Sequence, residues 1–301
     1  MLNRKNKLLL LKVLSLFSVV RGYNILVIAL AQYLASIYIL APELPVRKVV
    51  FDINLFVIVL ASALVIAGGY IINNFYDAEK DLINKPRKSM LDRLVSQRFK
   101  LTTYFVLNFL AVVVASYVSF KAVFFFSSYI FGIWIYSHKL KRIPFLGNFI
   151  SATLAITPFF VVFIYYKNIQ PVIFVHAVFL FLLILAREMV KDLENISGDL
   201  AQNYRTIPII YGARTSKLLI SFLIFLTLVP SLLLIFQFDV GYMNFYFILC
   251  VLLMILFIVL LFKAKARKDY VWLHNILKLI IVMGVFSILL IDVQLVLNRI
   301  L

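Results

Sequence analysis

A chain of 301 residues with 64% hydrophobic and only 14% charged side chains, 29 phenylalanines and a mean hydropathy of +1.04 is too apolar for an ordinary soluble domain. Its formal net charge of +17 raises nucleic acid as a partner, but the basic residues are scattered over short loops between apolar runs, where anionic headgroups and topology account for them. No nucleic-acid partner is expected, and a lone Cys250 inside an apolar run leaves no intramolecular disulfide or zinc cluster.

Apolar runs fall at 14–40, 50–74, 101–120, 122–137, 144–166, 170–190, 215–237, 241–262 and 271–297, each near the ~20 residues that carry a helix across hydrocarbon. In lipid every backbone polar group needs an internal partner, and these uniform runs lack the alternation of barrel strands. The expected fold is an all-α membrane protein, a bundle of about nine transmembrane helices forming one domain over 1–301. The first run follows basic residues as a signal peptide does. Arg21 interrupts it and no small-residue cleavage site is evident, so it is expected to be retained. Arg21 and Asn24, one turn apart in that run, do not belong against lipid; a site role and an interhelical hydrogen bond are both open.

Most Lys and Arg lie near the N-terminus (Arg4, Lys5, Lys7, Lys12), between Lys80 and Lys100, and at Lys139, Lys141 and Arg142. Arg187, Lys191, Arg205, Arg214 and Lys217, then Lys263, Lys265, Arg267 and Lys268, continue the pattern. The alternate loops hold little beyond Arg47, Lys48, Lys121 and Lys167. The positive-inside rule therefore puts the N-terminus and the even-numbered loops in the cytoplasm of a multi-pass cell-membrane protein, with the C-terminus outside.

Seven of the 13 acidic residues fall in two windows, Asp77, Glu79 and Asp81 after the second run, and Glu188, Asp192, Glu194 and Asp199 at the end of the sixth. Both windows face the predicted cytoplasmic side. In Asn74-x-x-Asp77-x-x-x-Asp81, offsets of three and four put the polar side chains on one helical face. Asp192-x-x-Asn195-x-x-x-Asp199 repeats those offsets, and each window is followed by a basic, proline-containing stretch, as in a diverged internal repeat that builds one site. Carboxylate and amide oxygens without nearby His or Cys suit Mg²⁺, which completes its shell with water and substrate phosphate. Lys85, Arg87, Arg142, Lys191 and Arg205 are placed to bind phosphate oxygens and to stabilise a departing diphosphate. Arg187, one turn before Lys191, is a candidate of the same kind. Glu79 and Glu194 are expected off the shared face, in solvent beside Lys. His138, His176 and His274 are isolated by spacing and receive no role, and Asp292 is read as near the outer interface or internally paired.

The paired motifs resemble those of the UbiA superfamily of intramembrane prenyltransferases: Asn73-Asn74-x-x-Asp77-x-x-x-Asp81 after the second helix and Asp192-x-x-Asn195-x-x-x-Asp199 after the sixth. Arg21-Gly-Tyr-Asn24, Tyr136-Ser137, Leu140-Lys141-Arg142, Gly147-Asn148 and Arg205-Thr206-x-Pro208 extend the resemblance over most of 15–215. The helices of 215–301 contribute only hydrophobicity. The resemblance implies a nine-helix bundle with a cytoplasm-facing mouth. There Asn73, Asp77, Asp81, Asp192 and Asp199 would hold Mg²⁺ on the diphosphate of a polyprenyl donor, with the four aspartates as catalytic carboxylates. Bond cleavage would give an allylic cation for the acceptor to capture, with Tyr136 near the mouth as its aromatic stabiliser. Asn74 and Asn195 stand where many members carry Asp, which implies weaker metal binding with activity retained. The segment Arg187–Asp199 looks most like the ether-lipid branch, which implies geranylgeranyl diphosphate as donor and geranylgeranylglyceryl phosphate as acceptor. An aromatic quinone precursor of the 4-hydroxybenzoate or dihydroxynaphthoate type is the alternative acceptor. A transporter is the non-enzyme alternative, but its polar residues belong near the bilayer midplane rather than at helix ends on one side.

Overall fold

The computed structural model describes residues 15–293, so the basic cluster Arg4–Lys12 and the end of the last apolar run lie outside the described residues. Among these, nine helices are long and apolar enough to cross a membrane. They are α1 (Gly22–Ala35, extended by a π-helical turn Ser36–Leu40), α3 (Ile53–Tyr76), α6 (Gln97–Ser116), α7 (Phe120–His138), α8 (Leu146–Tyr166), α9 (Pro171–Ala201), α10 (Ile207–Phe236), α11 (Asn244–Lys263) and α12 (Arg267–Ser287). Three short helices, α2 (Val46–Val50), α4 (Ala78–Asn84) and α5 (Pro86–Asp92), lie between them.

Local chemistry sets the helix starts. Asp52, Ser96 and Ser119 accept from the backbone N–H of Asn54, Phe99 and Ala122 at the openings of α3, α6 and α7. Proline occupies the first turn of α5, α9 and α10, where its missing N–H costs nothing. Inside α8, Pro158 cannot donate to the Leu154 carbonyl, and the Tyr129 hydroxyl of α7 donates to it instead at 3.0 Å. Gln32 of α1 also donates to the Pro158 carbonyl at 2.8 Å, tying a second neighbouring helix to the same turn.

Two boundaries differ from the hydropathy pattern. The sixth apolar run ends at 190, yet α9 continues for 31 residues to Ala201, making the second acidic window the polar end of one unbroken helix. The seventh run begins at 215, yet helix begins at Ile207 and bends at Gly212 (φ 81, ψ 165), a conformation that glycine adopts without strain.

The helix α3 packs on α6 and α7, while α9 packs on α8, α10, α12 and the short α4. Small buried residues such as Ala61, Ala111 and Ala186 let the backbones approach, and Phe126, Leu183, Phe257 and Leu277 fill the core. Phe51, Phe120, Phe124 and Phe236 are exposed, as side chains facing lipid should be.

Candidate active site

The first window forms where α3 gives way to α4. Asp77 leaves helical dihedrals (φ −93, ψ 4) and joins the two helices, so the chain turns and lays α4 against α9. The contact pairs one side-chain amide with main chain: Asn84 Nδ2 donates to the Asn195 carbonyl at 3.3 Å, and Gly198 N–H donates to Asn84 Oδ1 at 3.1 Å. A Cβ at Gly198 would collide with the Asn84 amide, so the close approach requires glycine there.

This packing brings the windows together. Lys141 Nζ donates to Asp77 Oδ1 at 2.7 Å, and the Tyr204 hydroxyl donates to the same oxygen at 3.3 Å. Lys80 Nζ stands 3.8 Å from Asp77 Oδ1 and 2.9 Å from Asp199 Oδ1, so one ammonium touches both windows. On the second window, Asn148 donates to Asp192 Oδ2 at 2.8 Å, and on the first, Ser137 donates to Asn73 Oδ1 at 3.2 Å. The buried Tyr204 ring has Lys80 at 4.6 Å and the Arg142 guanidinium at 5.0 Å from its centroid.

The electrostatics follow from this packing. Burial opposes charge on Asp77, but Lys80, Lys141 and the more distant Lys191 outweigh it and hold its carboxyl down to about 2. Burial also works against the Lys80 ammonium, yet Asp77 and Asp199 raise its pKa above the ordinary value. Lys141 is lowered, chiefly by burial. Burial and the neighbouring Asp77 push the Tyr204 phenol up to about 12, which keeps it a donor.

Other predicted residues fall in three places. Lys191 donates to Glu188 Oε2 at 2.8 Å beside Tyr136 and Asp192, and Arg187 contacts Glu188 and His274 Nε2. Arg21 and Asn24 both meet Tyr70 of α3, the first over its ring at 5.1 Å and the second through its hydroxyl at 3.2 Å, giving them an interhelical contact. Asp81 and Lys85 are partly exposed on the α4–α5 segment, and Arg87, Arg142 and Arg205 are exposed. Arg205 N–H donates to the Arg142 carbonyl, which joins the two basic loops.

Several expectations need correction. Asn74 does not line the shared face: it donates to Asp92 Oδ2 at 3.0 Å and accepts from the fully buried Lys100 at 2.8 Å. The two asparagines of the first motif diverge because successive helical positions are about 100° apart. Glu194 is not in solvent but 6% exposed, facing Lys85, Arg267 and His274 at 3.7 to 3.8 Å. The last helix, α12, adds polar contacts of its own: Arg267 and His274 reach α9 and Lys278 donates to Tyr23. Lys80, Lys141, Asn148 and Tyr204 were missed as site residues, although Lys80 sits one turn after Asp77 and its spacing carried the signal.

The donor chemistry fits a hard cation. Asn195 Oδ1 is buried without a hydrogen-bond donor, and Asp199 Oδ1, one turn later on α9, has the Lys80 ammonium at 2.9 Å. Among the described residues, no three His, Cys, Asp or Glu side chains stand close enough to hold one ion as arranged; ammonium groups stand between the carboxylates. An aromatic groove of ≈ 530 Å³, lined by Phe75, Tyr76, Tyr104, Phe131 and Trp134 among others, runs between α3, α6 and α7.

A family model described as the UbiA prenyltransferase family matches residues 29–275. The digeranylgeranylglyceryl phosphate synthase of Thermococcus gammatolerans is 30% identical over 274 residues, covering 90% of this chain and 95% of its own. That of Thermococcus sibiricus is 30% identical over 217 residues, covering 71% and 75%. Among solved structures, a UbiA homologue from Archaeoglobus fulgidus bound to GPP and Mg²⁺ has a TM-score of 0.66 at 13% identity, covering 91% of this chain and 99% of that one. A structure concerned with digeranylgeranylglyceryl phosphate synthase in membranes has a TM-score of 0.69 at 22% identity, covering 92% and 97%. At these identities the structural likeness speaks to the fold.

Proposed function

The chain belongs to the UbiA prenyltransferase family, and from that premise we propose that it transfers a geranylgeranyl group from its diphosphate to geranylgeranylglyceryl phosphate, a step of ether-lipid synthesis. The observation that carries the proposal is the meeting of the two windows, with Asp77 and Asp199 within reach of one ammonium at the end of the bundle. The acceptor follows from the relatives named as digeranylgeranylglyceryl phosphate synthases. The whole chain acts as one domain, with its mouth on the cytoplasmic side where the basic loops gather.

In this proposal Asn73, Asp77, Asp81, Asp192 and Asp199 hold Mg²⁺, with Asn195 contributing its amide oxygen. Bound there, the metal neutralises the donor diphosphate and makes it a better leaving group. Lys141 and Arg142, fixed against Asp77 and Tyr204, offer their charges to diphosphate oxygens as the C–O bond breaks. Lys85, Arg87 and Arg205 extend that positive field outward. Arg187 and Lys191, held by Glu188, are placed for the acceptor's phosphate. Tyr136 beside them offers its ring face to the allylic cation, and the apolar bundle keeps water from it. The groove that starts at Tyr76 is a surface an isoprenoid chain packs against.

The test is Mg²⁺-dependent release of diphosphate from geranylgeranyl diphosphate by the purified protein, with geranylgeranylglyceryl phosphate or 4-hydroxybenzoate as acceptor. Product is expected only with the glyceryl phosphate, and both Asp77→Ala and Asp192→Ala should lower turnover by about 10²-fold or more. Unchanged turnover in either variant would remove the site assignment, and product from 4-hydroxybenzoate alone would replace the acceptor.

A further inference from the structure

We propose that Lys80 is a resident counter-cation, bridging the two acidic windows while the metal is absent and yielding its place when the metal binds. The inference rests on the metal site proposed above and concerns what occupies it beforehand. Lys80 is 14% exposed at its side chain and lies between Asp199 Oδ1 at 2.9 Å and Asp77 Oδ1 at 3.8 Å, with the Tyr204 ring closing one side. Asp199 Oδ1 has the Lys80 ammonium as its ion-pair partner, and Asn195 Oδ1, one turn earlier on the same helix and 5% exposed, takes no donor. A buried amide oxygen left unsatisfied one turn from a carboxylate whose partner is a lysine marks a place built for a cation that accepts more oxygen ligands than lysine can.

The charges make the exchange consistent. Asp77 keeps Lys141 on Oδ1 at 2.7 Å when Lys80 leaves, so part of its charge stays compensated while the carboxylates of both windows take the ion. The freed ammonium sits one turn from Asp77, on the helix that closes the site, and meets the diphosphate oxygens that arrive with the metal. A long side chain on α4 moves between a carboxylate and a phosphate by rotamer changes alone, without shifting the helix.

Mg²⁺ alone, without donor, distinguishes this role from simple packing. Wild type, Lys80→Met, Lys80→Arg and Lys100→Met are purified full length in Mg²⁺, and melting is then followed in EDTA and across a Mg²⁺ titration. Starting from the metal-loaded protein keeps the measurement readable for a variant that folds only with metal. Lys80→Met should melt lower than wild type in EDTA, recover with Mg²⁺, and show a Mg²⁺ midpoint at least tenfold lower than wild type because no ammonium competes. Lys80→Arg should melt like wild type in EDTA. Lys100→Met removes another buried ammonium, one bonded to Asn74, and its loss should not be restored by Mg²⁺. A Lys80→Met midpoint equal to wild type, or no recovery with Mg²⁺, overturns the proposal. If that happens while diphosphate release still needs Mg²⁺ and Asp192, the lysine role alone has failed; if no variant responds to Mg²⁺ and release ignores it, the metal site has failed as well.

Discussion

Asp77 concentrates its partners on one oxygen. Lys141, Tyr204 and Lys80 all approach Oδ1, so the charge is fixed in place while Oδ2 stays outside that network. Its carboxyl, held at about 2 against an ordinary value of 3.8, contributes about 2 kcal/mol of stability. Because the folded pKa is depressed, that contribution is complete above the unfolded value and is lost as pH falls through about 2. The melting difference between wild type and Asp77→Asn should therefore be constant near neutrality and shrink between about pH 4 and 2; a difference that does not change with pH would show that charge on Asp77 adds no stability. Asn74 poses the opposite case. From the motif, Asn for Asp looks like a weakened metal ligand, whereas its amide bridges Asp92 and Lys100. Asn74→Asp would replace a donor 3.0 Å from Asp92 by a like charge, and is expected to cost about 2 kcal/mol of stability. A gain in Mg²⁺ affinity with unchanged melting would contradict this. Composition and spacing identify which residue types are present but not which side of a helix end each one takes, and that is why Asn74 was misplaced.

At the scale of elements, the helices were legible because lipid selects long apolar runs, and the nine runs reappear as nine spans among the described residues. The polar extension of α9 was not legible. Its last turns carry Lys, Glu, Asn and Asp, and their helicity depends on α4 packing beside them, a tertiary effect no hydropathy window contains. Tertiary contacts likewise hid Lys80 and Lys141: a lysine in a basic loop reads as topology until a carboxylate from a distant helix is seen beside it. Two substitutions probe this junction. Gly198→Ala drives a methyl into Asn84 and should cost about 1–3 kcal/mol, lowering turnover by separating the windows. Glu194→Gln leaves Lys85, Arg267 and His274 facing a neutral amide, and should lower melting by the equivalent of about 3 kcal/mol. Normal melting of both variants would mean that α4, α9 and α12 are held by apolar packing alone.

Across the whole molecule, the charge pattern predicts orientation. Contacts between Arg205 and Arg142, and between Glu194 and both Lys85 and Arg267, put four basic loops at one end, while Asp52 and Tyr165 pair elsewhere, at the start of α3 and the end of α8. In a Cys250→Ser background, Gln97→Cys should react with an impermeant thiol reagent only from the cytoplasmic side and Gln170→Cys only from outside; the reverse pattern would invert the topology. The acidic chemistry was legible at this scale as a repeat, but its charge balance was not, because neutralising partners come from segments far apart in the chain.

The Asn84 side-chain amide joins the two halves of the repeat by hydrogen bonds to the main chain at Asn195 and Gly198, with no metal needed for that contact. The spacing of the carboxylates is therefore a property of the polypeptide, set when the bundle assembles. Chelation should empty such a pocket without unlatching it, and reloading should be quick, since no part of the scaffold has to be rebuilt around the incoming ion.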